Sequence, residues 1–97
     1  MAKHIVLIKW TEQGVKNVKD TVKRARDFKQ VAKSIGVEIT DISWTLGPYD
    51  LVCTLNAPDE ETATRLGLML AMQGNVSTTT MRAFSETEME SIIKGLP

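Results

Sequence analysis

Two apolar, β-rich runs between Ile42 and Leu55 flank Gly47-Pro48-Tyr49-Asp50, and this arrangement constrains the fold more than any other feature of the chain. Gly47-Pro48 suits a tight turn whose first central residue needs positive φ. The spacing predicts an antiparallel hairpin, with Val37 to Leu46 as one strand and Tyr49 to Leu55 as the next. Along the first of these, Val37 and Ile39 alternate in one phase and Ile42, Trp44 and Leu46 in the other. A bulge near Thr40-Asp41 reconciles them.

The remaining segments arrange themselves around that hairpin. Ile5 to Ile8, extended to Trp10, is a short apolar run rich in β-branched residues, which predicts a central strand buried on both faces. Thr11 to Val18 reads as an irregular helical turn, and Thr21 as the cap of a regular helix. In that helix Val22, Ala25, Phe28, Ala32 and Ile35 form one apolar stripe, opposite Lys23, Arg24, Arg26, Asp27, Lys29 and Lys33. Gly36 ends it as a left-handed residue.

Asn56 to Asp59 starts a second helix, with Pro58 placed in its first turn and Asp59 to Glu61 set against the positive end of its dipole. It runs to about Gln73 and is more apolar than one core stripe requires, so part of it is expected to meet another element or subunit. Val76 to Phe84 is a more polar, edge-like strand. Ser85-Glu86-Thr87-Glu88 reads as a capping box before a short terminal helix that packs Met89, Ile92 and Ile93.

The order strand, helix, strand, strand, helix, strand, with a C-terminal helix, is a ferredoxin-like α+β sandwich with an antiparallel sheet. Right-handed crossovers put both main helices on one face of such a sheet. The first and third strands are nevertheless apolar on both faces. In 97 residues the economical cover is a second sheet from an identical chain, packed face to face.

Composition excludes several classes of function. With 12 basic and 12 acidic side chains the formal net charge is zero, and the basic stretch from Lys16 to Lys33 is interleaved with Asp20, Asp27 and apolar residues. A phosphate-backbone binder draws on clustered cations instead, so no nucleic-acid partner is expected. Cys53 is the single cysteine, which leaves no intrachain disulfide or thiolate metal cage and suits the cytoplasm. No signal-peptide core precedes the first strand and no run approaches the ~20 apolar residues of a membrane span. The chain is expected to be neither exported nor membrane-embedded.

Six stretches, in this order, carry a family resemblance: Trp10-Thr11-Glu12-Gln13-Gly14, Asn17-Val18-Lys19-Asp20, Gly47-Pro48-Tyr49-Asp50, Ala57-Pro58-Asp59-Glu60-Glu61-Thr62-Ala63, Gly74-Asn75-Val76 and Arg82-Ala83-Phe84. Together they resemble the bacterial GYD domain and span nearly the whole chain. The family pattern is Gly, variable, Tyr, Asp, with Pro48 in the variable place. The resemblance implies a single domain over residues 1–97 of the dimeric α+β barrel type, and it implies no particular activity.

Candidate site residues are His4, Trp10, Trp44, Tyr49, Asp50 and Arg82. Neighbours in a regular strand point to opposite faces, so Tyr49 and Asp50 cannot both line one cavity. Asp50 either locks the turn by accepting backbone hydrogen bonds, from the turn or the segment after Trp10, or contacts a ligand. Trp10, Trp44 and Tyr49 either wall an aromatic pocket or fill the ends of the core. His4, the lone histidine, shares a face with Val6, Ile8 and Trp10; Arg82 either holds an anion or is a surface charge. Ser77 to Thr80 either line a cavity or occupy an edge strand. Cys53 reads as a small hydrophobe, and Met69, Met72 and Met81 as core or interface fillers.

No assembled catalytic motif, metal-ligand cluster or nucleotide loop is present, and no cofactor is expected. The leading expectation is a homodimer or larger homo-oligomer that binds or senses a small apolar or aromatic molecule. A cofactor-independent monooxygenase-like or isomerase-like enzyme and a structural assembly subunit are the alternatives. A cavity in the dimer lined by two or more titratable side chains within hydrogen-bond reach favours the enzyme; an aromatic pocket without such a pair favours binding, and a filled barrel with no void leaves the assembly subunit.

Overall fold

The structure, a computed structural model, describes residues 1–97. Strand β1 (Ala2–Trp10) is followed by α1 (Glu12–Lys16), a single 3-10 turn (Val18–Asp20) and α2 (Thr21–Ser34). Strands β2 (Glu38–Trp44) and β3 (Leu51–Ala57) form the hairpin, and α3 (Glu60–Met72), β4 (Val76–Ala83) and α4 (Glu86–Lys94) complete the chain. The sheet order is β2-β3-β1-β4 with every neighbouring pair antiparallel. This is the ferredoxin-like α+β arrangement expected from the sequence.

Several local features follow directly from their residues. The pairing slips between Ile39 and Asp41, so Thr40 is the extra residue of a bulge. The slip places Ile39 opposite Leu55 and Ile42 opposite Cys53, which brings both isoleucines to the core face. Gly36, at φ 83°, ends α2, and Val37 N–H donates back to Ala32 O at 2.9 Å, closing a Schellman motif. Asp59 Oδ1 caps α3 by accepting from Thr62 N–H at 2.7 Å. Pro58 therefore precedes the cap instead of lying in the first helical turn.

Alternation along the central strands decides where the core sits. Val6, Ile8, Leu51, Cys53, Leu55 and Ala57 are buried together with Ala32 of α2 and Leu66 of α3. On the opposite face Ile5, Leu7 and Val52 are only half-buried and Met81 is exposed. The register brings these four together, Leu7 opposite Val52 and Ile5 opposite Met81. In a single chain the burial of β1 and β3 is thus complete on one face only. The molecule is 18 Å thick along its shortest axis, about one sheet and one layer of helices. Its radius of gyration, 14.7 Å, exceeds the ~13 Å of a compact chain of this size.

Four further expectations are corrected. The hairpin is joined by a broad loop, Thr45 to Asp50, in place of a tight turn, because Asp50 is drawn onto β1: its N–H donates to Ile8 O at 2.8 Å. Gly47 still takes a positive φ of 156°. Thr21 does not cap α2; Asp20 holds that position without a side-chain bond, while Thr21 Oγ1 accepts from Trp44 Nε1 at 3.1 Å. Val22 lies outside the apolar stripe and is exposed, whereas Val31 joins it. Finally, α4 has the expected capping box but does not pack. Met89, Ile92 and Ile93 are 47%, 46% and 53% exposed, and no residue of α4 is buried.

Candidate functional site

Between α2, α3 and the core face of the sheet lies a cleft of about 170 Å³. Small Ala25 of α2, beside the larger lining residues Phe28 and Val31, leaves space unfilled over Ile8, Trp10 and Ile42 of the sheet. Leu66, Met69 and Leu70 of α3 close the other side. Arg24 and Asp27 are the only charged side chains in the lining. Asp27 is committed to Lys23 at 2.9 Å, while Arg24 takes part in no ion pair.

The end of the cleft is held by a backbone knot. Thr11 N–H donates to Asn75 O at 3.0 Å, and Gln13 Nε2 donates to Gln73 O at 2.9 Å and to Asn75 Oδ1 at 3.0 Å. Gly14 makes this possible, since a Cβ there would overlap the carbonyl oxygen of Asn75. Asp50 adds the third tie, its Oδ2 accepting from Trp10 N–H at 2.9 Å.

The six candidate residues fall into separate places. Trp10 lines the cleft with Phe28. Trp44 is exposed at the sheet edge, and through its bond to Thr21 it borders the rim without lining it. Tyr49 lies with its ring 5.7 Å from Lys9 Nζ, on the side of the sheet facing away from the cleft. The two indoles and Tyr49 therefore do not share one pocket.

His4 and Arg82 are neighbours across β1 and β4 at the far end of the sheet. His4 is 3% exposed. Its Nε2 is 3.2 Å from Glu60 Oε2 and its Nδ1 3.3 Å from Ala2 O. Arg82 Nε is 3.8 Å from Glu60 Oε1, and Arg82 also reaches Glu88 Oε2 at 3.4 Å. The void beside His4, shared with Thr78 and Thr80, measures about 20 Å³, room for about one water. Ser77 and Thr79 alternate with these two and point to the open face.

Electrostatics separate structural groups from available ones. Burial pushes the Cys53 thiol up to about 11, so it stays protonated and inert at neutral pH. The backbone N–H of Thr62 holds the Asp59 carboxyl below its usual value, and that of Ser85 does the same for Glu88. Both carboxylates are spent as helix caps. No group of three His, Cys, Asp or Glu side chains gathers as a metal site. Glu60 and Arg24 are not among the residues that the sequence singles out. Helical spacing puts Arg24 on the solvated face, although its position beside Ala25 of the apolar stripe is a usable signal.

The sequence pattern of the GYD domain matches residues 4–93. This chain belongs to the GYD domain family. A relative from Thermus thermophilus, named "Glutamine synthetase and cystathionine beta-lyase binding protein", is 30% identical over 95 residues, covering 97% of this chain and 100% of its own. The crystal structure of a Thermus thermophilus protein is similar with a TM-score of 0.56 at 21% identity, over 88% of this chain and 95% of that one. That likeness is one of fold.

In this GYD domain the Gly47 to Asp50 stretch is the loop that Asp50 pins to β1. The stretches from Trp10 to Gly14 and from Gly74 to Val76 meet in the backbone knot at the cleft's end. Three of the family's signature segments thus converge on one end of the sheet. No helix is long and apolar enough to cross a membrane.

Proposed function

We propose that this GYD domain protein is a binding subunit that docks on another protein through α4 and associates with its own copies through the open sheet face. One observation carries the reading: α4 is capped at its start by the Ser85–Glu88 box, yet no residue of it is buried. A helix of nine residues is marginal in water on its own, and an apolar stripe of Met89, Ile92 and Ile93 gains stability only when covered. The name of the Thermus relative, a binding protein of two enzymes, supports a protein partner. Glutamine synthetase and cystathionine β-lyase of the same source organism are the partners to test first. The open-face cluster of Ile5, Leu7, Val52 and Met81 suits a second copy, with residues 1–97 acting as one domain. The buried free thiol of Cys53 suits the cytoplasm.

The test is a titration of each purified enzyme onto the immobilised full chain. Saturable binding that Ile92→Glu abolishes is the expected result. Absence of binding by either enzyme to the folded protein contradicts the assignment of these partners.

A second reading is favoured by the cleft itself, which takes a small apolar ligand between Trp10 and Phe28. Its lining places no titratable pair within hydrogen-bond reach, the arrangement that distinguishes a binding cleft from a proton-transferring one. This site is independent of α4, so both readings can hold for one molecule.

A further inference from the structure

We infer that the cleft's ligand is a small apolar monocarboxylate, of the size of one aromatic ring with a short acidic arm, whose carboxylate is held by Arg24. The inference rests on the cleft being a ligand site and assigns the chemistry of what enters it.

Size sets the first limit. At about 170 Å³ the cleft is close to the ~150 Å³ apolar cavity that accommodates benzene and well below the ~300 Å³ at which pockets for drug-sized ligands begin. Its apolar walls, with Trp10 and Phe28 among them, favour a flat or branched hydrocarbon body over a sugar or a nucleotide.

Charge sets the second. Arg24 is half-buried and stands in the lining without a carboxylate partner, while the other charge there, Asp27, is neutralised by Lys23. An unpaired guanidinium beside apolar surface favours an anion over a neutral group. Its position is fixed rather than loose: Nη1 donates to Asn17 O at 2.7 Å and Nη2 to Gly14 O at 3.5 Å. Gly14 is itself locked against Asn75. Two of five N–H donors are thereby used, leaving three for a ligand.

A second donor stands one helical turn away. Thr21 and Arg24 are three residues apart on α2, hence on one face, and both line the cleft. Thr21 Oγ1 accepts from the Trp44 indole, which leaves its own O–H proton to donate. A guanidinium and a hydroxyl on one rim suit the two oxygens of a carboxylate. This also gives Trp44 a role without ligand contact, as the group that orients Thr21.

The test titrates the full-length protein with phenylacetate and, separately, with phenylacetamide, of the same shape but neutral, following amide and indole NMR signals. The expected result is binding of phenylacetate with shifts at Trp10, Phe28 and Arg24, and affinity for the amide about tenfold or more weaker, the scale of one charge-assisted bond. Arg24→Gln removes the preference for the acid, so that phenylacetate and phenylacetamide then bind within about twofold of each other. Equal affinity of wild type for acid and amide overturns the carboxylate assignment while sustaining an apolar ligand site. Failure of both probes to shift cleft signals overturns the inference together with the ligand site beneath it. The wild-type comparison of acid with amide decides the question even where Arg24→Gln fails to fold.

Discussion

Asp50 shows how one side chain can hold a signature segment in place. Its carboxylate accepts the Trp10 N–H at 2.9 Å while its own backbone N–H bonds Ile8 O, so the loop from Thr45 cannot swing away from β1. Asp50→Ala leaves the Trp10 donor unsatisfied and is expected to cost about 1–3 kcal/mol, measured as a lower urea midpoint with an unchanged slope. Gly14 acts by absence. A Cβ would overlap Asn75 O and also stand 3.3 Å from Trp10 Cβ, so Gly14→Ala must part α1 from the turn after α3. Its expected cost is also about 1–3 kcal/mol, and it should disturb the Trp10 indole signal, because that ring lines the cleft beside the knot.

Elements whose stability is local were legible in the sequence, and those held by distant partners were not. The Gly36 helix stop and the Ser85–Glu88 box depend on residues within a few positions, the Thr40 bulge shows as a change of apolar phase within one strand, and each is present. The breadth of the hairpin loop depends on Ile8 and Trp10, and the place of Thr21 depends on Trp44, which no periodicity reveals. The candidate site was legible in part for the same reason. Trp10 stands in the cleft, but Arg24 and the Glu60 contact to His4 are products of packing between elements. Helix α4 offers an element-scale test by pH. The Ser85 N–H lowers the Glu88 pKa from its ordinary 4.5, so the cap is stabilising above that value and is lost as pH falls through the depressed one. Carbon chemical shifts from Glu86 to Met89 should report fraying of α4 in that window, and Glu88→Gln should remove the pH dependence while keeping an acceptor for the Ser85 N–H.

For the whole molecule, the structure leaves apolar surface without cover on the sheet, on α4 and on α3, where Leu68 and Met72 are exposed. Both main helices are already used on the core face, and a chain 18 Å thick has no further layer to supply. On the function proposed above, a second copy covers the sheet and a partner protein covers α4. The decisive experiment is hydrogen exchange of α4 in the full-length protein, with and without saturating glutamine synthetase as the proposed partner. Fast exchange across Glu88 to Lys94 in the free protein and strong protection of those amides on binding are expected. Binding of the enzyme with α4 still exchanging freely would contradict docking through α4.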